Sequence, residues 1–134
     1  MTRPAPSTPA DLPREAPAPL KVAASLAAVE AVLLVLQGVA ELLAVSGARL
    51  LMGTTTALFF LLYGAGLAFC AWEVARLKSW ARAPIVVAQL IQALVAASFW
   101  GGGTTWVAVG LGLVALLVLA GIFHPASVEA LAED

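Results

Sequence analysis

Of the 134 residues, 62% are hydrophobic and only 11% are charged, and the mean hydropathy is +0.99. A soluble domain is about half apolar and about a quarter charged, and a chain this short has too little interior to hide the excess, so a bilayer must solvate it. The net charge of −1 comes with no basic patch and excludes a nucleic-acid partner, and the single cysteine, Cys70, excludes a disulfide framework, a cysteine-rich metal site and CxxC redox chemistry.

Residues 1–20, MTRPAPSTPADLPREAPAPL, hold most of the eight prolines. Proline lacks a backbone donor and fixes φ, so the expectation is an extended, disordered tail. Four apolar runs follow, at about 22–45, 50–72, 84–100 and 105–123. Each has roughly the 17–25 residues that a ~30 Å hydrocarbon core requires. None alternates in polarity with period two, as barrel strands would. The first run is long for a signal-peptide core and carries acids, which argues for a retained span. The connections SGAR and GGGTT are short, so neighbouring helices run antiparallel. The expected fold is an all-α, four-helix transmembrane bundle over residues 21–124, with a short acidic tail at 125–134.

Orientation follows from Lys and Arg. Arg3, Arg14 and Lys21 precede the first span, and Arg76, Lys78 and Arg82 occupy the middle loop, EVARLKSWAR; the two opposite loops carry only Arg49. That bias places both termini and the middle loop in the cytoplasm. Trp72 and Trp80 flank the middle loop, and Trp100 and Trp106 flank the last one, where aromatic belts lie.

The first span, AAVEAVLLVLQGVAELLAV at 27–45, keeps two carboxylates and an amide. At 100° per residue, Gln37 and Glu41 each fall about 20° from Glu30, on opposite sides. Ala23 and Ala44 extend this stripe, and a small, polar face seeks protein. Glu41 lies near the outer end and is expected to pair with Arg49 across the turn. Glu30 lies about 12 Å deep at 1.5 Å per residue. Counting equally deep reaches Tyr63 on the second span and Gln92 on the third, with Gln89 one turn below. Ala115 is the apolar residue at that level on the fourth. The expectation is an intramembrane cluster of Glu30, Tyr63, Gln89 and Gln92. Because desolvation disfavours a bare carboxylate, Glu30 is expected to donate to an amide or phenol oxygen. Such a cluster either joins helices or forms a proton or substrate site.

Small residues recur at packing spacing: Thr56, Gly64 and Ala68 on the second span, around Phe60, and Ala108 and Gly112 on the fourth. The runs GGG and GLG lack the strand–loop–helix setting of a phosphate loop. His124 has no ligand partner at metal-site spacing, so no metal or other cofactor is expected. Cys70, one turn inside the second span, reads as an inert apolar side chain or an acylation site. Glu30 and Glu41 stand about 16 Å apart along the axis, too far for paired acid–base work.

Three stretches carry a resemblance: VEAVLLVLQGVAELL, WARAPIVVAQLIQ and FHPAS. Together they resemble the small four-helix integral membrane proteins of actinobacteria over most of residues 21–128. The resemblance implies a plasma-membrane location in a high-GC bacterium and brings no activity with it.

Three functional classes remain at this point. The first is a non-enzymatic scaffold or accessory subunit whose partners are the bilayer and another membrane protein. The second is a small oligomeric transporter or proton-coupled carrier, built from copies of the chain and using Glu30, Tyr63 and Gln92. The third is a membrane enzyme acting on lipid or quinone near Glu41 and Arg49, the only polar groups close to a headgroup boundary.

Overall fold

The computed structural model describes residues 15–133. Five helices follow in order: α1 Ala18–Leu43, α2 Leu50–Ala75, α3 Arg82–Ser98, α4 Thr105–Phe123 and α5 Pro125–Ala132. The first four are long and apolar enough to cross a membrane. α1 packs along α2, α3 packs chiefly on α4, α1 also meets α4, and the contact between α2 and α3 is slight.

The first span starts four residues earlier than the sequence reading had it. Pro17 is the N-cap residue, in an extended conformation, and Pro19 lies in the first turn, where a missing backbone donor costs nothing. Leu20 is fully buried. Of the expected proline-rich tail, residues 1–14 lie outside the described residues, and 18–20 belong to α1.

α2 runs three residues past its expected end and closes in a Schellman motif. Leu77 N–H donates to Val74 O at 3.0 Å and Lys78 N–H donates to Glu73 O at 2.9 Å. The residue at the turn is Leu77, with φ of 66°, where glycine is usual. Its side chain is buried in the core, which offsets the left-handed strain. A 3₁₀ turn, Ser79–Ala81, then leads into α3.

α4 ends where the sequence indicated. Pro125 bars Phe123–His124 from continuing as helix, and His124 turns extended at ψ 139°. The expected acidic tail is instead a helix, α5. His124 Nδ1 caps it by accepting from Ala126 N–H at 3.1 Å, and Ser127 Oγ donates to Gly121 O at 2.6 Å. Leu131 is buried against the bundle. The apolar side chains Ala130 and Leu131 give this segment something to bury, which its acidic ending concealed.

The core is concentrated at the end formed by the start of α1, the α2–α3 elbow, the end of α4, and α5. Leu20, Val74, Ile85, Val118, Ile122 and Leu131 are all essentially inaccessible. Glycines set the helix separations. A Cβ on Gly121 would stand 2.5 Å from Pro19 O, and one on Gly64 would stand 2.8 Å from Val35 Cγ2 and 3.0 Å from Ala31 O. The α2 seam runs through Gly53, Ala57, Gly64, Leu67 and Ala71. The expected Thr56–Gly64–Ala68 face is thus rotated: Gly64 is central, Thr56 is half-buried and Ala68 is exposed. On α4, Ala108 is buried and Gly112 faces Ala96 of α3, to whose Cβ an added Cβ would stand at 3.9 Å. Outside this seam the helices expose leucine, valine and phenylalanine, Leu51 and Leu94 among them, as lipid-facing surfaces do.

Candidate functional site

With α1 starting at Ala18, Glu30 is twelve residues, or about 18 Å, into a helix of 26 residues, at its midpoint. It is 9% exposed. α3 supplies two amides, Gln89 and Gln92, spaced so that both reach it. Gln89 Nε2 donates to Glu30 Oε2 at 2.7 Å, and Gln92 Nε2 donates to Glu30 Oε1 at 3.2 Å. Gln92 Nε2 also donates to the carbonyl of Leu111 on α4 at 3.0 Å. Leu111 lies between Gly110 and Gly112, so neither neighbour has a side chain to obstruct the amide. This network ties α1, α3 and α4 together at mid-span.

The amides are the donors and the carboxyl the acceptor, the reverse of the sequence expectation. The arrangement leaves Gln89 Oε1 without a hydrogen-bond partner in a side chain that is fully buried. Turning that amide over would bring Oε1 to Glu30, an arrangement satisfied only when the carboxyl carries a proton to donate. The proton on Glu30 and the orientation of Gln89 are therefore coupled.

Tyr63 lies beside Glu30 on the same cleft without a hydrogen bond to it. Its ring stacks on Phe59, with centroids 5.7 Å apart and planes at 27°. The cleft measures about 390 Å³ and is bounded by Glu30, Leu33, Phe59, Phe60, Tyr63 and Gln92, with Val95 and Leu111 beyond. Apart from Glu30, Gln92 and the Tyr63 hydroxyl, its walls are hydrocarbon and aromatic. Leu33 and Phe59 are each more than half exposed, so the cleft is open. A second apolar cavity of about 250 Å³ lies nearer the elbow, between Tyr63, Cys70 and Pro84. Cys70 is buried there with its thiol free.

The remaining sequence-derived positions divide. The expected Glu41–Arg49 ion pair is absent. Glu41 instead accepts from Gln37 Nε2, one turn earlier on its own helix, at 3.3 Å, while Arg49 lies exposed in the 3₁₀ turn Gly47–Arg49. The expected inward stripe holds only over its lower half. Ala23 and Glu30 are buried, but Gln37 is exposed, because the upper part of α1 turns Ala31 and Gly38 onto α2 instead. An added Cβ on Gly38 would stand 2.8 Å from Leu61 Cγ. Trp72, Trp80, Trp100 and Trp106 are all half-exposed or more, at the helix ends. Sequence reasoning missed Glu73, which is buried at the elbow end of α2 and paired with Arg76 at 3.1 Å. Its i,i+3 spacing to Arg76 was the available signal. Among the described residues, no group of three His, Cys, Asp or Glu side chains could hold a metal ion.

No family model, curated protein or solved structure matches this chain.

Proposed function

We propose that the chain is a non-enzymatic, multi-pass protein of the plasma membrane, and that it serves as a scaffold or accessory subunit, docking another membrane protein's helix along the outer half of α1. The observation that carries this reading is Gln37. Six residues, or about 9 Å, from the end of α1, it is exposed, with Glu41 as its hydrogen-bond partner at 3.3 Å. An amide presented at that depth is costly against lipid and favourable against a neighbouring helix that fills its remaining hydrogen bonds. Glu30, deeper in α1, already has partners within the bundle, Gln89 and Gln92 of α3. The Lys and Arg distribution supports cytoplasmic termini, and the likeness to small actinobacterial membrane proteins supports the bacterial plasma membrane.

The test is the mass of the particle extracted in its native lipids, with every copurifying polypeptide identified. A stoichiometric second polypeptide that is lost in Gln37→Leu supports the accessory-subunit reading. A monomer or homo-oligomer carrying only lipid contradicts it and favours a second reading, a small proton-coupled carrier. That reading draws on Glu30 at the floor of an open cleft. Against it stands the close packing of the elbow end, where Leu20, Val74 and Ile122 are fully buried.

A further inference from the structure

We infer that the cleft above Glu30 is a binding site for an apolar organic cation, an amine or ammonium group carried on an aromatic or hydrocarbon body. This inference is independent of the docking face on α1.

A carboxylate offers about four acceptor positions, and Gln89 and Gln92 occupy two of them. Every described cation lies near a helix end: Lys21 in the first turns of α1, Arg49 in the short turn, and Arg76, Lys78 and Arg82 around the elbow. Glu30 therefore has no countercharge of its own at mid-span, where an unpaired charge is most costly. The groups facing the cleft from the other helices do not supply one. α2 contributes Tyr63, α3 contributes Gln92, and the Leu111 carbonyl of α4 is already engaged by Gln92.

The walls suit the same ligand. Phe59 stacks on Tyr63 and meets Phe60 edge to face, each at 5.7 Å. Aromatic faces attract cations, most strongly when water is excluded. The Tyr63 hydroxyl, which has no partner among the described residues, is a further acceptor on the same wall. The volume of about 390 Å³ lies in the range of small-molecule sites, roughly 300–1,000 Å³. An anion would meet the Glu30 carboxylate, a sugar would meet hydrocarbon, and a wholly apolar molecule would leave the carboxylate unanswered. A cation on an apolar body satisfies both the floor and the walls.

The test uses the full chain in phosphatidylcholine nanodiscs, with protein-free discs subtracted. The probes are 4-phenylbutylamine, protonated at neutral pH, and the uncharged 4-phenylbutanol. The amine should bind at least about tenfold more tightly than the alcohol, because its ammonium makes a charge-assisted contact with Glu30 that the hydroxyl cannot. Glu30→Gln, which keeps the shape and an acceptor for Gln89, should bring the two affinities together. Leu33→Trp, on the exposed rim with Glu30 untouched, should abolish amine binding by filling the cleft. Equal binding of the two probes to the wild-type protein, binding of neither, a preference that survives Glu30→Gln, or amine binding that survives Leu33→Trp would each overturn the inference.

Discussion

Gln89 donates to Glu30 across 2.7 Å, although 59 residues separate them in the chain. The contact crosses the bundle from α3 to α1 at mid-span, and both side chains are buried. It makes the polar centre part of the helix packing, and any change at Glu30 is felt by three helices.

The first prediction separates shape from charge at this position. Glu30→Leu removes an acceptor from both amides; Gln92 keeps the Leu111 carbonyl, whereas the fully buried Gln89 loses the partner of its Nε2, which should cost about 1–3 kcal/mol. Glu30→Gln should cost less than about 1 kcal/mol, since polar contacts between membrane helices average about 0.6 kcal/mol. Thermal unfolding in one fixed detergent gives the comparison. Equal losses in the two variants would mean that the amides do not depend on this acceptor.

A second prediction concerns the crossing of α1 and α4. An alanine methyl at Gly121 would meet the Pro19 carbonyl at 2.5 Å, whereas at Gly66 it would meet nothing within 4 Å. Gly121→Ala should therefore destabilise the bundle by about 1–3 kcal/mol through overpacking. Gly66→Ala should be neutral or slightly stabilising, because alanine is the better helix former by about 1 kcal/mol. If both variants melt together, the close approach of α1 and α4 is incorrect.

Leu77 gives a third. Its left-handed backbone costs about 1–2 kcal/mol for any residue but glycine, and its buried side chain repays that. Truncation to alanine loses the side chain and keeps the strain, whereas truncation to glycine loses both. Leu77→Gly should therefore be the more stable of the two variants by about 1 kcal/mol, measured by the same unfolding assay. The reverse order would place Leu77 outside the left-handed region.

Much of the architecture is legible in the sequence, for identifiable reasons. α4 was delimited correctly because a threonine–tryptophan start and a His-Pro stop bound an unbroken apolar run. Depth counting brought Glu30, Tyr63 and Gln92 to one level, with Gln89 one turn below, because helices rise uniformly. What depth cannot give is rotation. Gln37 shares the helical-wheel angle of Glu30, but α1 turns Gly38 rather than Gln37 onto α2, so the same stripe is buried below and exposed above. The Glu41–Arg49 pairing failed because the nearer partner, Gln37, lies one helical turn away on the same face. The Leu111 carbonyl was not legible at all, since a backbone acceptor leaves no mark in residue type beyond the glycines that expose it. The start of α1 was misplaced because proline was read as a helix breaker at a position where it opens a helix.

A fourth prediction concerns orientation. In a Cys70→Ser background, Gly47→Cys should react with a membrane-impermeant maleimide applied to intact cells, and Lys78→Cys should react only after permeabilisation. The distribution of Lys and Arg carries this expectation, and the opposite labelling pattern would invert the bundle.

The most direct test of the proposed role is a photo-crosslinking residue placed at Gln37 in the native membrane, with a control at Leu36, which is also exposed but lies about 100° away around α1. The account predicts that position 37 crosslinks to one discrete polypeptide and position 36 to lipid. Lipid adducts alone at both positions would contradict a docking face on α1 and, with it, the accessory-subunit reading.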